Sequence, residues 1–288
     1  MNNAYLYSLD PLDSADGKWD YGLIKEIFDK NHIEQLTVSE IPTEDRAFVV
    51  IPGSGNAGKE KEINRQLSKL KRVILFITGD ESGKFNVDLI SHPNIEIWIH
   101  YPHKKHEKYN KFFIGVPRHL KENLPEYPIK EYDVFFSGQI NHNRRKELID
   151  ALSKMSSSRF VFHTLFNATP AFSLGYPIKE YYSLLSKSRI APAPAGNVVI
   201  DSFRFFEAIE MMCLPIGDLK NSRGEEFDFF HFVYPNGVPV RRMSNWNLIE
   251  RMVSNLLEEY PNNMHQAVCW WIKYKRDLSL KIIKQINE

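Results

Sequence analysis

Short β-branched runs alternate with amphipathic stretches along this chain of 288 residues, and only a small group of folds accommodates that alternation. AFVVIP and RVILFITGD are typical of buried strands, whereas YGLIKEIFDKN and EKEINRQLSKLK carry their apolar residues at helical spacing. Repeated strand–helix–strand units predict an α/β fold in which helices pack against mostly parallel sheets.

A segment rich in proline and charge divides the alternation into two series. LKENLPEYPIKEYD interrupts the pattern, and a second series begins at DVFFSG, so we interpret the segment as a linker between domains. The sequence therefore predicts two Rossmann-like domains, 1–125 and 126–288, facing each other across a cleft. The final helix, about 265–288, could pack back on the N-terminal domain. Ligands in such sheets bind outside the carboxyl ends of the strands.

Composition excludes several classes of protein. The formal net charge is +1, which argues against strong binding to duplex nucleic acid, although locally basic HKKHEKYNK and KYKRDLSLKIIK leave a nucleic-acid acceptor open. Cys213 and Cys269 are too few for a disulfide framework, and the chain shows neither a signal peptide nor an apolar run long enough to span a membrane. We therefore expect a cytoplasmic protein without a transmembrane segment.

The segment VVIPGSGNAGKE has the spacing of a phosphate-binding P-loop. Gly53, Gly58 and Lys59 fit GxxxxGK, and the segment follows a predicted strand. A working P-loop places Ser or Thr after the lysine to bind Mg²⁺, whereas Glu60 stands here and would repel phosphate. A P-loop-like NTPase is thus one alternative, and a flexible turn that enters a helix is the simpler interpretation.

The stretch IAPAPAGNVVIDSFRFFEAIEMMCLPIGD combines a strand end, a turn at Gly196 and a helix start. The free N–H groups at such a helix start can bind an anion. Arg204 lies in the first helical turn, where a cation opposes the helix dipole unless an anion lies beside it. Glu207 shares a helical face with Arg204, so a surface ion pair between them is the competing interpretation.

This stretch resembles the donor-binding motif of exostosin-family glycosyltransferases, in which a P-x-G turn leads to SFRFxEAxxxxCxPV. The matching residues are Pro194, Gly196, Ser202, Phe203, Arg204, Phe205, Glu207, Ala208, Cys213 and Pro215. Upstream, FFSGQINHNRRKEL resembles the glycine loop and arginine pair of that family.

The resemblance implies a GT-B fold whose second domain holds a nucleotide-sugar. It implies that Ser202 and the following N–H groups contact the diphosphate, that Arg204 neutralises it, and that Glu207 accepts hydrogen bonds from the ribose. Gly138 would let the backbone approach closely, and Arg144 or Arg145 would stabilise the leaving diphosphate. It also implies inversion of the anomeric centre without a metal ion.

An inverting transfer needs a base for the acceptor hydroxyl. Asp80 and Glu81 follow a predicted strand within FITGDESGKF, so we favour either as the base, while an ordinary polar turn is the alternative. His100 is the next candidate because histidine titrates near neutral pH. His100, His103 and His106 recur every three residues, but that spacing does not favour convergence on zinc.

The sequence-based hypothesis is a metal-independent, inverting hexosyl- or pentosyltransferase without a cofactor. It would move a sugar from a nucleotide-diphosphate donor, with a UDP-sugar favoured, to a hydroxyl of a surface glycan or another biopolymer. The alternatives are the NTPase that uses Gly53–Lys59 and a non-catalytic module that binds a nucleotide or sugar.

Overall fold

The computed structural model describes residues 3–7, 19–123, 129–155, 162–167 and 176–288. Packing divides the chain into two compact units: unit 1 holds residues 1–118 and 274–288, and unit 2 holds residues 119–273. The predicted domain boundary at residue 125 falls in the undescribed segment 124–128 and stays a prediction. Both units are α/β with parallel sheets, which confirms the predicted fold class at that level.

Unit 1 contains a six-stranded parallel sheet in the order β2-β1-β3-β4-β5-β6. Its strands are β1 (Asn3–Tyr7), β2 (Glu34–Val38), β3 (Glu44–Pro52), β4 (Leu70–Thr78), β5 (Ile95–His100) and β6 (Asn110–Phe112). Its helices are α1 (Gly22–Lys30), α2 (Gly53–Asn56, a single turn) and α3 (Glu60–Leu67).

Both faces of this sheet are covered, which explains why β3 and β4 are apolar almost throughout. On one face Phe28 of α1 packs on Phe48 of β3, with ring centroids 5.1 Å apart. On the other face Ile63 of α3 joins Val49 and Leu75 in a fully buried cluster. A strand buried on both faces needs an unbroken apolar run, and AFVVI provides one.

Unit 2 contains a five-stranded parallel sheet in the order β11-β10-β9-β7-β8. Its strands are β7 (Tyr132–Gln139), β8 (Phe162–Asn167), β9 (Ser188–Ala193), β10 (Leu214–Asp218) and β11 (Arg242–Met243). Its helices are α4 (Asn143–Leu152), α5 (Ile178–Ser186), α6 (Phe203–Glu210), α7 (Phe229–Val233) and α8 (Ile249–Glu258).

The last helix, α9 (Tyr260–Asn287), contributes to both units. Within unit 2, Trp271 packs on Phe206 of α6 with ring centroids 4.7 Å apart. Within unit 1, Trp98 of β5 donates a hydrogen bond to the Gln285 side chain (2.9 Å), and the Tyr274 hydroxyl accepts one from the Phe113 N–H (3.0 Å). In the part of the chain that is described, no helix is long and apolar enough to cross a bilayer.

Candidate functional site

The order of strands in unit 2 creates a natural ligand site. From β7 the chain passes through α4 to β8 on one side, and from β9 it passes through α6 to β10 on the other side. Right-handed crossovers in opposite directions put α4 and α6 on opposite faces of the sheet. A crevice therefore opens at the carboxyl ends of β7 and β9, where ligands of doubly wound sheets bind.

Arg204 lies at the carboxyl end of β7. Its Nε and Nη2 donate hydrogen bonds to the Ser137 carbonyl at 3.1 and 2.8 Å. Its guanidinium carbon lies 5.0 Å from the centroid of the Phe136 ring. Gly138 leaves the space for this arrangement, because a Cβ at that position would overlap the guanidinium. The side chain is thus held in one place against the end of the strand.

No carboxylate among the described residues forms an ion pair with Arg204, although its charge opposes the rise in pKa that burial causes at Glu207. The same place holds the start of α6, where Ser202 is the N-cap in an extended conformation and its hydroxyl caps no N–H. The first N–H groups of a helix have no acceptor within the helix. A half-buried guanidinium beside a helix N-terminus is chemically suited to an anion such as a phosphate.

Arg145 and His142 tie the β7–α4 loop to the β9–α6 loop. Arg145 donates to the carbonyls of Ala195 (3.3 Å) and Gln139 (3.2 Å), and His142 Nε2 contacts the Ala195 carbonyl at 3.1 Å. Burial, reinforced by the charge of Arg145, lowers the pKa of His142 to about 4. His142 is therefore neutral at neutral pH, and its Nε2 carries the proton that the carbonyl accepts.

Asp218 ends β10 and binds several groups around the crevice. Its buried carboxylate accepts from Arg144 Nε (3.2 Å) and Nη2 (2.7 Å), from the Ala195 N–H (3.2 Å) and from Trp246 Nε1 (3.2 Å). Arg144 is itself buried and also contacts Glu147. The structure therefore uses Arg144 to hold the strand ends together, while Arg145 lies against the two loops. The sequence analysis missed Asp218, although a carboxylate that directly ends a buried strand in CLPIGD was visible.

Glu207 lies one turn into α6 and is buried. It accepts hydrogen bonds from the hydroxyls of Tyr181 (3.1 Å) and Tyr182 (2.8 Å), and it forms no ion pair with Arg204. Burial raises the pKa of the Glu207 carboxyl, and the hydrogen bond from Tyr182, the charge of Arg204 and the hydrogen bond from Tyr181 oppose that shift. The competing interpretation of a surface Arg204–Glu207 pair is therefore wrong.

The turn that precedes α6 is buried at both Pro194 and Gly196. The sequence predicted a turn at Gly196, and the φ of this residue lies outside the left-handed region that favours glycine. The close packing of this loop under Asp218 and Arg145 accounts for its shape instead.

In unit 1 the predicted base residues follow the carboxyl ends of β4 and β5. Asp80 is buried, and its carboxylate accepts from the N–H groups of Lys84 (2.9 Å) and Phe85 (2.8 Å), so it closes its own turn. Glu81 is partly exposed, and its carbonyl contacts His103 Nε2 at 3.0 Å. Of these two carboxylates, only that of Glu81 reaches solvent to an appreciable extent.

His100 is completely buried and stacks on Phe112, with ring centroids 5.0 Å apart. Burial lowers the pKa of His100 to about 3. Asp20, just before α1, lies with Oδ2 3.8 Å from His100 Nδ1 and also close to Gly79. The sequence analysis missed Asp20, and WDYG ahead of a helix was the only signal for it.

The P-loop-like segment of unit 1 uses its polar groups internally. The Gly58 N–H donates to the Glu60 carboxylate (3.2 Å), which also accepts from the Asn86 N–H (3.1 Å). Burial alone would raise the pKa of Glu60, but these backbone hydrogen bonds hold it below its usual value. The Lys59 ammonium donates to the Gly55 carbonyl at 3.1 Å. A carboxylate thus occupies the position where a P-loop would receive phosphate.

The three histidines of the β5–β6 region do not share a ligand position. His106 is buried and its Nδ1 accepts from the backbone N–H of His103 (3.2 Å), while His100 lies in the aromatic core. Among the described residues, no group of three or more His, Cys, Asp or Glu side chains is arranged to hold a metal ion.

Comparison with known proteins gives little further information. No protein-family model matches the sequence, and no curated protein matches it. Among solved structures, the chain is similar to T4 phage BGT in complex with UDP and Mn²⁺, with 11% identity, full coverage of both chains and a TM-score of 0.46. A similarity of that size is too low to assign a fold family or a function.

Proposed function

We propose that the protein is a glycosyltransferase that uses a nucleotide-diphosphate sugar, with a UDP-sugar as the favoured donor. The observation that carries this proposal is Arg204, a half-buried cation without a carboxylate partner among the described residues, at the β7/β9 crevice and beside the start of α6. An exostosin-like family membership and a GT-B fold are parts of the same proposal, and they rest on the sequence motif.

In this proposal the diphosphate binds between Arg204, Ser202 and the first N–H groups of α6. Arg145 adds positive charge at the adjoining loops, and Gly138 keeps the strand end open for Arg204. Preorganised charge at this position would stabilise the diphosphate as it leaves, which is the usual source of most of the rate enhancement.

Glu207 would bind the ribose hydroxyls through lone pairs that remain after the tyrosine contacts. A carboxylate offers about four acceptor positions, and Tyr181 and Tyr182 use two of them. Because Glu207→Ala would leave two tyrosine hydroxyls without this acceptor, Glu207→Gln is the cleaner test of ribose binding.

The acceptor hydroxyl needs a base, and we assign that role to Glu81 among the residues that the sequence indicated. Both oxygens of Asp80 bind backbone N–H groups, and His100 is buried with a pKa of about 3, which makes it a poor proton acceptor. Glu81→Gln should abolish transfer while donor binding persists. We also propose that the reaction inverts the anomeric centre and needs no metal ion. The transfer rate should therefore be unchanged in EDTA.

A thermal-shift screen against UDP-, GDP-, CMP- and TDP-sugars tests the donor assignment, because a ligand that binds only the native state raises its melting temperature. We expect one nucleotide class to stabilise the wild type, and Arg204→Ala to remove the shift. Lys59→Ala serves as the control and should retain it. A shift that survives Arg204→Ala and disappears in Lys59→Ala would reject the proposed site.

The same variants separate the two alternatives. An NTPase would hydrolyse ATP or GTP with Mg²⁺ and lose that activity in Lys59→Ala, whereas the contact between Glu60 and Gly58 opposes phosphate binding there. A non-catalytic module would bind the nucleotide-sugar without the slow donor hydrolysis expected of a transferase.

A further inference from the structure

The last residue of β7 and the loop that follows it contain two buried polar atoms that the diphosphate site does not explain. Gln139 Nε2 and His142 Nδ1 are both shielded from solvent, and neither has a hydrogen-bond partner among the described residues. Leaving a buried polar group unsatisfied is unfavourable, so two such groups within residues 139–142 indicate a missing partner.

The two atoms differ in what they can do. Gln139 Nε2 is a donor. His142 Nε2 contacts the Ala195 carbonyl at 3.1 Å and must carry the ring proton, so Nδ1 is left as an acceptor. Burial and the nearby Arg145 keep that nitrogen unprotonated, because they lower the pKa of His142 to about 4.

A donor and an acceptor on residues three positions apart favour a particular kind of ligand group. A phosphate oxygen could accept from Gln139, but an ionised phosphate has no proton to give to His142 Nδ1. A hydroxyl can do both, since it carries one proton and two lone pairs. The loop is therefore suited to a neutral hydroxyl, in contrast to the cationic surface formed by Arg204.

The position of the loop agrees with this division. Gln139 directly follows Gly138, over which the Arg204 guanidinium lies. Successive strand side chains point to opposite faces of a sheet, so the Gln139 side chain and the Arg204 guanidinium lie on opposite faces of β7. A ligand that lies across the crevice would meet the cation on one side and the β7–α4 loop on the other.

We propose that Gln139 and His142 form a hydroxyl-binding subsite of the nucleotide-sugar site, in which one hydroxyl accepts a hydrogen bond from Gln139 Nε2 and donates one to His142 Nδ1. The hydroxyl belongs either to the ribose or to the transferred sugar. Asn141 and Asn197 are hydrogen-bonded to each other at 2.5 Å on the exposed tips of the two loops. The subsite rests on the proposed function, since it needs a donor bound at Arg204.

Two variants remove one atom each with little other change. Gln139→Met keeps the length of the side chain and removes the donor. His142→Gln keeps a donor near the position of Nε2 for the Ala195 carbonyl and removes the Nδ1 acceptor. Asn141→Ala is the matched control, because it removes the loop-tip hydrogen bond and leaves both subsite atoms in place.

Calorimetry with UDP, UDP-glucose, 2′,3′-dideoxy-UDP and inorganic pyrophosphate identifies the group that binds. We expect each variant to bind UDP-glucose about tenfold more weakly, and the double variant to be little worse than either single one, because both atoms share one hydroxyl. The affinity of Asn141→Ala for UDP-glucose should lie within about threefold of the wild-type affinity, since an exposed hydrogen bond contributes little. If UDP is unaffected, the hydroxyl belongs to the transferred sugar; if UDP is weakened equally and dideoxy-UDP is not, it belongs to the ribose.

Other results would overturn the subsite. Unchanged binding of all four probes means that only an internal water satisfies the two atoms. Weakened binding of pyrophosphate means that the loop holds phosphate, and equal weakening of UDP and dideoxy-UDP means that it holds the base. In each of these cases the proposed function stands if Arg204→Ala still abolishes UDP binding. A wild type that binds none of the probes rejects both proposals.

Stability gives an independent readout. If Gln139 Nε2 is unsatisfied until a ligand arrives, Gln139→Met should leave the melting temperature of the free protein unchanged or raise it by about 2 °C while donor affinity falls. A purely structural role predicts the opposite, a lowered melting temperature, and that result would contradict the subsite.

Discussion

The two loops that the sequence marks for phosphate, Gly53–Lys59 in unit 1 and the turn into α6 in unit 2, differ in the partners of their charged groups. In unit 1 the Lys59 ammonium contacts a carbonyl, and the Glu60 carboxylate takes the Gly58 N–H. In unit 2 the Arg204 guanidinium contacts only a carbonyl and an aromatic ring among the described residues. Residue spacing made the first loop conspicuous, whereas a cation without an ion-pair partner is the reason that we propose the second loop as the anion site.

A second contrast lies within unit 2, between Arg144 and Arg204. Arg144 is fully buried and bound by Asp218, whereas Arg204 is half-buried and has no carboxylate partner in the described part of the chain. Two arginines at the same edge of one sheet thus have different partners: Arg144 holds the strand ends in place, and we propose that Arg204 binds a ligand. The predictions below test whether this division is real.

The largest effect is expected at Asp218. Asp218→Asn removes the charge that compensates buried Arg144, which should lower the free energy of unfolding by about 3–5 kcal/mol. Urea denaturation measures this loss. Asp228→Asn is the matched control, because Asp228 pairs with partly exposed Arg242 at 2.6 Å and an asparagine can still cap the helix. This control should lower the free energy of unfolding by less than about 1 kcal/mol. If both variants lose the same small amount, Asp218 does not have the structural role described.

Arg204 should show the reverse pattern. Arg204→Ala breaks no ion pair among the described residues, although it removes the hydrogen bonds to Ser137 and a charge that favours ionised Glu207. The free energy of unfolding should therefore change by only about 1 kcal/mol, the net value of a typical hydrogen bond. The affinity for a nucleoside diphosphate should fall by about 2–4 kcal/mol, as expected for a desolvated charge-assisted contact. Calorimetry and urea denaturation on the same preparation measure both quantities. A large stability loss with unchanged affinity would reverse the roles of Arg144 and Arg204.

The two units should also respond differently to pH. Burial lowers the pKa of His100 in unit 1 to about 3, whereas burial raises the pKa of Glu207 in unit 2. A depressed histidine pKa means that the unfolded chain binds the proton first, so the contribution of His100 to stability is lost as pH falls below about 6.5. The raised pKa of Glu207 has the opposite sign, because its contribution is present at low pH and is lost as pH rises.

Between pH 6.5 and 4.5, protonation of His100 in the unfolded chain should lower the free energy of unfolding by about 2–3 kcal/mol. His100→Phe, which can stack on Phe112 in the same way, should flatten this part of the stability profile, and exposed His265→Phe should not. Denaturant midpoints across this pH range provide the measurement. An identical acid profile for the wild type and His100→Phe would show that other groups control it.

The sequence was sufficient for local structure and for the motif, because both depend on neighbouring residues. AFVVIP and RVILFITGD form β3 and β4, and α6 begins at Phe203 within SFRFFEAIE. The sequence could not predict the partners of Arg144 and Glu207, because Asp218 is 74 residues from Arg144 and Tyr182 is 25 residues from Glu207. Such pairs follow from strand order, which the alternation of strands and helices leaves undetermined. The unsatisfied atoms of Gln139 and His142 are visible only once the surrounding contacts are known.

The smallest expected effect is at Lys59, and it sharpens the comparison of the two loops. Lys59→Met keeps the length of the side chain and removes one hydrogen bond to Gly55, so nucleoside diphosphate affinity should stay within about 0.5 kcal/mol of the wild type, the range of an uninvolved surface position. A second variant, Glu60→Ser, restores the residue type of a working P-loop and frees the Gly58 N–H. If the contact between Glu60 and Gly58 is what blocks phosphate, Glu60→Ser with Mg²⁺ should gain weak ATP binding that Lys59→Met removes. Strong ATP binding by the wild type itself would show that Glu60 does not block the loop. The partners of the charged groups in the two loops would then not identify which loop binds an anion.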